Sequence, residues 1–486
     1  MSGYDIKYDV IVCGAGTSGV AAAIAAARTG AKTLLVERTG TMGGQMSLSG
    51  PPGFAYARLF NPQGKRDVGG IVEETHQRLL KMGHALPHQR YPFREKAGFT
   101  FSYVDPEWWT MLMFEMMDEE GVQLLLDTLV VGVIKGDDTV TGIVVENANG
   151  RNEINGKIVI DCTGEGYVSA QAGCEMDCVS RDEIQPHTLA FTVDGVDWDK
   201  LLTYVRSHPE QFSFKQLLNP YTDGTHEAIM DVYSKCHDIT ELGELMGFYE
   251  LRNVAMKNGD WHPYSGVGFF LTPREGGHIQ AHFQHSSQWD HSLPTDAWDL
   301  TRCMVECRKQ NLIAWRFFKN YVPGFRNAYI TKVCTELRLR EGPRIVGDYV
   351  LTREDVAECR QFADTIGKSS FKAGGYHVTN VNTLNVNVDD PRMSWPKDGG
   401  SYDIPYRCLV PQKVNNLLAA GKCVSTDRPA YLRYLHQTMV TGQAAGTAAG
   451  LCIQKGVTPR ALEQDVAQLQ QMLLDQGAVL FECPKR

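Results

Sequence analysis

Hydrophobic positions near the start of the chain form two short runs that bracket an alanine-rich stretch. The first run spans Tyr8 to Cys13 and the second spans Thr33 to Glu37, and both contain β-branched residues. Such runs predict strands, and the alanine-rich residues between them predict a helix that ends near Gly30. The beginning of the chain is therefore predicted to form a strand, a turn, a helix and a second strand.

Further strands and helices are predicted along the rest of the chain. Asp105 and Pro106 favour a helix start, and Gly121 suits the end of that helix. Helical spacing of apolar residues predicts two more helices, over Thr240–Lys257 and Asp296–Tyr321. Apolar runs predict strands at 122–134, 140–146, 157–160 and 416–420. From about Gln185 onward the strand–turn–helix rhythm is lost, which indicates a separate lobe before the rhythm returns.

Composition narrows the class of protein. Hydrophobic residues make up 43% and charged residues 22%, which is typical of globular proteins and excludes disordered and collagen-like chains. A net charge of −9 provides no basic field for a phosphate backbone, so we expect no nucleic-acid partner. We also expect no membrane span, because the apolar stretch Val20 to Ala27 is far shorter than the roughly 20 residues a span needs.

The cysteines and the N-terminus bear on location. The N-terminal residues lack the basic and long apolar regions of a secretory signal. Thirteen cysteines without a Cys-x-x-Cys pair indicate reduced thiols and argue against a built-in zinc or iron–sulfur site. The sequence therefore predicts a cytoplasmic protein.

Three glycines after the first predicted strand carry the strongest signal. In GAGTSG, Gly14 allows a tight turn, Gly16 lets backbone approach a pyrophosphate, and Gly19 lets helix and strand pack closely. Glu37 ends the second strand, where a carboxylate can bind a ribose 2′-OH. The alternative is a glycine-rich turn that binds no nucleotide. The surrounding strand, helix and acid favour a dinucleotide site.

A late helix with three glycines four residues apart is the second unusual feature. Glycine inside a helix costs about 1 kcal/mol relative to alanine, so close approach of another group to that face is expected. An ordinary helix-packing seam explains Gly446 and Gly450. We place Gly442 at the helix start and assign it to a cofactor.

The residues after Glu37 do not begin a further helix, as they would in a nicotinamide dehydrogenase. A Gly43–Gly44 pair stands there instead, where backbone can lie against a flat ring. Here the chain resembles the FAD-dependent oxidoreductases of the glutathione reductase and fumarate reductase superfamily. The resemblance rests on GAGTSG with Glu37, MGGQ, IVIDCTGEG, LLAAGKCVS and TGQAAGTAAG, and an RIVG motif at 344–347 points to one branch.

The resemblance implies an α/β fold with FAD as cofactor. A discontinuous Rossmann-like FAD-binding domain would comprise residues 1–184 and 330–486, and an inserted α+β substrate-binding domain would comprise residues 185–329. The implied FAD-binding residues are Gly14, Gly16, Gly19, Glu37, Arg38, Gly43, Gly44, Gln45, Val130, Thr163, Gly164, Gly421, Gly442, Gln443 and Ala444. The last three would face the flavin from a helix start. One departure is Lys422, where many relatives carry Asp.

FAD performs hydride transfer at N5, so the protein must aim a substrate at that atom and manage one proton. His436 has the pKa class for acid–base work, although a cap or packing role is an equal alternative. Tyr431 or Arg433 could orient an oxyanion. Arg344, in the RIVG motif, is the candidate for substrate or transition-state contact.

The segment 336–341 alternates, so on a strand Glu336, Arg338 and Arg340 would share one face. Paired guanidiniums suit a carboxylate, and Arg340 is a substrate-binding candidate. The alternative is a solvated strand with salt bridges, which we favour for Arg338.

Three histidines, His278, His282 and His285, are close in the sequence. Residues four apart on a strand are about 13 Å apart, too far for shared metal ligation, so we expect no metal there. The polar face that carries His282 is either solvated, which we favour, or the floor of a substrate pocket. His282 is thus a further substrate-binding candidate.

Taken together, the residues and the resemblance predict a FAD-dependent oxidoreductase acting on a small polar organic substrate, a carboxylate or a sugar-like compound. The electron partner would be oxygen, NAD(P), a quinone or another protein, and a homo-oligomer is left open. One alternative is a flavin monooxygenase. Another is a non-catalytic flavin-binding redox sensor or a subunit of a complex.

Overall fold

The computed structural model describes residues 6–50, 56–90, 100–212, 226–262, 267–374 and 394–481. Its strands are β1 Tyr8–Cys13, β2 Thr33–Val36, β3 Tyr56–Ala57, β4 Gln89–Arg90, β5 Thr100–Ser102, β6 Gln123–Leu125, β7 Leu129–Gly136, β8 Thr139–Asn147, β9 Gly150–Asp161, β10 Met176–Asp177, β11 Phe191–Asp194, β12 Glu244–Met246, β13 Gly268–Pro273, β14 Ile279–Phe283, β15 Tyr329–Val333, β16 Arg344–Ile345, β17 Thr365–Ser369, β18 Tyr402–Pro405 and β19 Leu417–Ala419. Its helices are α1 Thr17–Arg28, α2 Gly70–Met82, α3 Pro106–Glu119, α4 Tyr167–Gln171, α5 Trp198–Ser207, α6 His226–Lys235, α7 Tyr249–Lys257, α8 Ala297–Tyr321, α9 Arg353–Ala357, α10 Leu435–Lys455, α11 Pro459–Leu462 and α12 Val466–Asp475.

A seven-stranded sheet organises the N-terminal and C-terminal parts of the chain. Its order is β6-β2-β1-β9-β8-β7, and β19 pairs with the end of β9. Strands β6, β2, β1, β9 and β19 run parallel, whereas β7 and β8 form an antiparallel extension of β9. The mixed α/β fold with a parallel Rossmann-like core is thereby confirmed. The boundaries of the two domains stay a prediction.

Helices α1 and α10 pack against each other through the three glycines of α10. A Cβ at Gly442 would lie 2.1 Å from Ser18 O, and one at Gly446 would lie 2.0 Å from Ala22 O. At Gly450 it would meet Thr29 Oγ1 at 1.6 Å. The glycines therefore let two helices approach to a distance that no side chain allows. All three belong to the packing seam, and the sequence had assigned only the last two to it.

A second, five-stranded sheet has the order β12-β13-β14-β11-β15 and lies against α8. Its core is aromatic, with Phe191 stacked on Phe283 at 4.5 Å and Phe318 edge-on to Phe283 at 4.6 Å. Burial of large aromatic side chains provides much of the hydrophobic stabilisation of such a layer. This sheet lies within the region where the sequence predicted a separate lobe.

Two of the three helices predicted between residues 105 and 321 are present in the structure, and one is not. The helix starting after Asp105 is confirmed as α3, with the Asp105 carboxylate accepting from Glu107 N–H at 3.0 Å. The helix over Asp296–Tyr321 is confirmed as α8, with Asp296 as its N-cap. The single helix predicted over Thr240–Lys257 is wrong: a 3₁₀ turn, β12 and α7 occupy that range. Gly243 and Gly247 have positive φ there, which interrupts a helix.

The described cysteines are all free thiols, and most of them are buried. Within the described ranges, none of the helices has the length and apolar character needed to cross a bilayer.

Candidate flavin and substrate site

The carboxyl ends of β1, β9 and β19 meet at one edge of the parallel sheet, and a glycine-containing turn follows each of them. Cys162 N–H donates to Cys13 O at 2.9 Å, and Ala420 N–H donates to Asp161 O at 2.9 Å. Ligands of parallel α/β sheets bind at this edge, because loops and helix N-termini converge there. The sequence motifs that lie far apart along the chain are thus brought together.

The first turn has the shape that a pyrophosphate requires. Gly14 has φ of 96°, and a Cβ there would lie 2.7 Å from Cys162 O. A Cβ on Gly19 would overlap Gly14 O at 1.7 Å, so this helix and turn are in direct contact. At Gly16 a Cβ would meet no heavy atom within 4 Å. The outer side of the turn is therefore open, as an approaching diphosphate needs, and the N-cap of α1 has no capping side chain.

The Gly43–Gly44 turn lies against this loop. Gly43 N–H donates to Ala15 O at 2.8 Å, and a Cβ on Gly44 would come within 3.2 Å of Gly16 Cα. Gly43 has φ of 113°, a conformation that favours glycine. The conformations of both glycines thus place this turn against the first turn, beside the cofactor path predicted from the sequence.

The resemblance implies that Glu37, Arg38 and Val130 contact the adenosine end of FAD, and the three side chains have different contacts in the structure. The Glu37 carboxylate accepts Ala15 N–H at 2.7 Å and Thr39 N–H at 3.0 Å, which holds it beside the first turn. Arg38 donates instead to Glu336 at 2.6 Å and is 60% exposed. Val130 lies in β7, partly buried and paired with Val145. A ribose contact by Glu37 fits this placement, and the roles of all three stay predictions.

The turn after β9 is fixed by its own aspartate. Asp161 accepts from Thr163 Oγ1 and from Ser169 N–H, each at 2.7 Å. Gly164, with φ of 87°, lies against Lys422, where a Cβ would come within 3.2 Å of Cε. Gln45 Nε2 donates to Leu337 O at 3.4 Å.

Lys422 forms an ion pair with Glu165, and both side chains are nearly buried. The sequence flagged Lys422 only as a departure from its relatives and missed Glu165 as its partner. The pair links the turn after β9 to the turn after β19. A hint was present in the sequence, because Glu165 lies inside the IVIDCTGEG motif.

Helix α10 begins at Leu435, so the expectation that Gly442, Gln443 and Ala444 form the helix start is wrong. The Gln443 side chain accepts Ile71 N–H at 3.0 Å and donates to Gln476, while Ala444 is buried in the core. The first turn of α10 instead contains His436 and Thr438. Thr438 Oγ1 lies 2.7 Å from Thr17 Oγ1, so the N-termini of α1 and α10 meet.

Gly421 sits at this junction. It has φ of 85°, and its N–H donates to Thr441 Oγ1 at 3.0 Å. Two helix N-termini and four glycine turns therefore converge on one region. Partial positive charge at both helix ends suits an anionic diphosphate or a reduced, anionic ring.

His436 is 1% exposed, and neither ring nitrogen has a hydrogen-bond partner among the described residues. Burial and the neighbouring Arg58 guanidinium lower the pKa of His436 to about 3. At neutral pH it is a neutral imidazole, which can donate one hydrogen bond and accept another, and its lowered pKa makes it a poor proton acceptor. Two unpartnered buried nitrogens in the first turn of α10 fit a residue that faces a bound group.

Tyr431 and Arg344 lie together, with the guanidinium 5.4 Å from the ring centroid. Arg344 is 1% exposed, pairs with Asp177 at 2.5 Å and donates to Thr426 O at 3.1 Å. The Tyr431 hydroxyl is buried without a hydrogen-bond partner, and burial raises its pKa. The predicted catalytic residues His436, Arg344 and Tyr431 therefore include one arginine that is already engaged in structural contacts.

Arg433, just before α10, lies close to two arginines of the segment between β15 and β16, Arg338 and Arg340. Arg433 Nη1 donates to Arg340 O at 3.1 Å and to Gln185 Oε1 at 3.1 Å, and Arg340 Nη2 contacts His285 Nδ1 at 2.9 Å. Arg338 donates to Gly50 O at 2.8 Å. Burial and the mutual repulsion of the guanidiniums lower the pKa of Arg338, to about 10, and of Arg340. We name Arg338, Arg340 and Arg433 the arginine cluster.

The arginine cluster has no carboxylate of the described residues within ion-pair distance. Arg428, by contrast with the arginine cluster, forms an ion pair: it lies 2.7 Å from the fully buried Glu341. The strand predicted over 336–341 is wrong, since only Arg338 makes an isolated bridge there, with Thr188. The favoured salt-bridge alternative for Arg338 is also wrong, because Glu336 pairs with Arg38.

The residues on the polar face of β14 differ in their exposure to solvent. His278 is half exposed and contacts Asp194 at 2.7 Å. His282 is fully buried, with Nδ1 3.2 Å from Thr192 Oγ1, and a Cβ on Gly50 would lie 2.6 Å from its ring. The favoured solvated face is thus wrong for His282. Gly50 and Gln185, which contact this region, were missed because nothing in their local sequence marks them.

The parallel sheet and the glycine turns at its carboxyl edge define the class of α/β dinucleotide-binding folds. The chain belongs to the FAD dependent oxidoreductase family, whose model matches residues 9–473. It is a FAD-dependent oxidoreductase, which confirms the predicted enzyme class and cofactor.

Among curated relatives, digeranylgeranylglycerophospholipid reductase 1 of Methanococcoides burtonii is 28% identical over 201 residues, 41% of this chain and 47% of that enzyme. The tRNA uridine 5-carboxymethylaminomethyl modification enzyme MnmG of Exiguobacterium sibiricum is 30% identical over 162 residues, 32% of this chain and 24% of that enzyme. The chain spans about half the length, or less, of the curated relatives it matches.

Two solved structures show a distant likeness over most of the chain. A geranylgeranyl bacteriochlorophyll reductase-like protein of Thermoplasma acidophilum has 13% identity and a TM-score of 0.45, covering 97% of this chain and 84% of that one. The p-nitrophenol 4-monooxygenase PnpA of Pseudomonas putida has 12% identity and a TM-score of 0.43, covering 96% and 86%. Likeness at this level says nothing about the reaction.

Proposed function

We propose that the chain exchanges an electron pair between bound FAD and a small organic acid, as a member of the glutathione reductase and fumarate reductase superfamily. The observation that carries the proposal is the arginine cluster. Three guanidiniums converge beside the first turn of α10 without a carboxylate of the described residues to neutralise them. A planar, bidentate anion such as a carboxylate is the ligand that such a group of arginines binds best.

The glycine turns and the two helix N-termini suit the cofactor. Gly14, Gly16 and Gly19 would hold the diphosphate, and Glu37 would hold the adenosine ribose. When bound, FAD supplies the exchange of a hydride equivalent with the substrate. The open side of Gly16 and the unpartnered nitrogens of His436 are the structural features that support this placement.

The protein's own residues would divide the remaining work. The arginine cluster orients the carboxylate, and burial of its surroundings excludes water, which strengthens the ion pair. His436, neutral at physiological pH, would donate or accept a hydrogen bond in the same region. Tyr431, with its buried hydroxyl, would hydrogen-bond to an oxygen of the substrate. Arg344 holds β16 and the Tyr431 ring in place.

The test is anaerobic titration of the yellow, oxidised protein with a panel of 2-hydroxy acids, 2-amino acids and saturated acids, and of the photoreduced protein with unsaturated acids. Loss of the visible flavin band with one electron-donating compound, or its return with one unsaturated acid, identifies the substrate and the direction of electron transfer. The Arg433→Met variant should need at least about 10-fold more of that compound, and the exposed Arg151→Met variant should behave as wild type. Reduction only by uncharged compounds, with Arg433→Met unaffected, would contradict the proposal. Stoichiometric consumption of NAD(P)H and oxygen, with an oxygenated product, would favour a flavin monooxygenase.

A further inference from the structure

A cluster of three metal-ligating side chains lies apart from the flavin and substrate site. Glu73 and His76 are one turn apart on α2, and His88 immediately precedes β4. Their candidate ligand atoms all lie within 4.8 Å of one another. We propose that Glu73, His76 and His88 bind a divalent first-row metal ion, with Zn²⁺ as the ion that the ligands suit best.

The side chains are close to the arrangement that zinc requires. His88 Nε2 is 3.0 Å from Glu73 Oε2. With bonds of about 2.0–2.1 Å, ligand atoms in a tetrahedral zinc site are roughly 3.3 Å apart. The His76 ring stacks on the His88 ring with centroids 4.1 Å apart, so binding one ion requires the His76 ring to turn its unpartnered Nδ1 toward Glu73 and His88. Two histidines and one glutamate form an established ligand set for zinc.

The surrounding hydrogen bonds orient both imidazoles as ligands. His76 Nε2 lies 2.8 Å from Leu86 O and must donate to it, which leaves the lone pair on Nδ1. That Nδ1 is buried and has no hydrogen-bond partner among the described residues. His88 Nδ1 contacts Ser102 Oγ, so its Nε2 is the nitrogen that faces Glu73. Metal-ligating histidines typically use their second nitrogen in this way.

The carboxylate is also held from outside. Glu73 Oε1 accepts from Gln77 at 2.7 Å, and Arg66 pairs with Oε2 at 2.7 Å. These contacts fix the position of the carboxylate beside His88. Arg66 is exposed, and its charge beside Glu73 reduces the affinity for a metal. A bound ion would tie α2 to the segment leading into β4.

The experiment uses the FAD-loaded protein without a histidine tag, stripped with a chelator and dialysed against Zn²⁺. We expect one zinc per chain by elemental analysis, and a visible difference spectrum of a nitrogen-ligated ion when Co²⁺ replaces it. His88→Gln and Glu73→Gln should weaken zinc binding by at least about 100-fold, since loss of an outer contact alone costs 10–100-fold. His291→Gln, which changes an exposed histidine elsewhere, should bind zinc as wild type does.

Retention of the flavin absorbance shows that a variant is folded. If His88→Gln or Glu73→Gln loses its FAD, the Co²⁺ spectrum of the wild-type protein decides the matter. Failure of the wild type to bind stoichiometric zinc, or to give a nitrogen-ligated Co²⁺ spectrum, would overturn the proposal. Zinc binding by both folded variants at wild-type affinity would overturn it as well, because the ion would then lie elsewhere.

Discussion

Replacing Arg340 by methionine should change stability and substrate binding in opposite directions. The side chain is partly buried, next to Arg338 and Arg433, and among the described residues its one hydrogen-bond partner is His285 at 2.9 Å. Methionine keeps the apolar stem of the side chain and removes a desolvated charge that two like charges repel. Replacement of a buried charge by an apolar residue of similar size can stabilise by about 1–4 kcal/mol. Loss of the contact with His285 offsets about 1 kcal/mol of that gain.

We therefore expect the substrate-free Arg340→Met protein to be more stable than wild type by about 1 kcal/mol. Substrate binding should weaken, because a hydrogen-bonded charge pair contributes about 1.5–3 kcal/mol, or roughly 10- to 100-fold in affinity. Urea unfolding of the FAD-loaded protein, with no acid present, measures the first effect. Anaerobic titration of the flavin band measures the second.

Arg428→Met is the matched control, because Arg428 pairs with the fully buried Glu341. Removing it leaves a buried carboxylate unpaired and should destabilise by about 3–5 kcal/mol. If Arg340→Met also lowers the urea midpoint, Arg340 is part of the structural framework. The inference that the arginine cluster awaits an anion would then be refuted.

Three other predictions address the cofactor region. Gly446→Ala should destabilise the protein by about 1–3 kcal/mol, measured by urea unfolding, because the added Cβ overlaps α1. Gly16→Ala should leave the stability of the apoprotein unchanged but weaken FAD binding, measured by fluorescence titration. Lys422→Met should lower thermal stability by leaving Glu165 unpaired, and the double variant with Glu165→Gln should recover most of the loss; no recovery would mean the pair is not the cause. For His436, the folded pKa of about 3 lies below the ordinary value of 6.5. Because only the unfolded chain then takes up the proton, the free energy of unfolding should fall as pH drops from about 6.5 to 3, and His436→Gln should flatten that dependence.

Much of the cofactor cradle was predictable because its requirements are local. A tight turn at Gly14 and close packing at Gly19 depend on residues within a few positions, so the motif carries the geometry with it. The strands β1, β2 and β9 and helices α3 and α8 were predicted for the same reason, since apolar periodicity and capping residues act within one element. The helix over Thr240–Lys257 failed because two glycines with positive φ outweighed its periodicity.

The sequence by itself determined the α/β class, the dinucleotide turn and the flavin family. Tertiary structure decided which distant residues meet. It placed Gly442 in a seam with α1, since only the helix crossing shows which face of α10 is covered. It also gathered Arg338, Arg340 and Arg433 away from any described carboxylate, because the partner of a long charged side chain depends on how separate segments pack. Contacts across hundreds of residues have no local pattern, so they are visible only once the chain is folded.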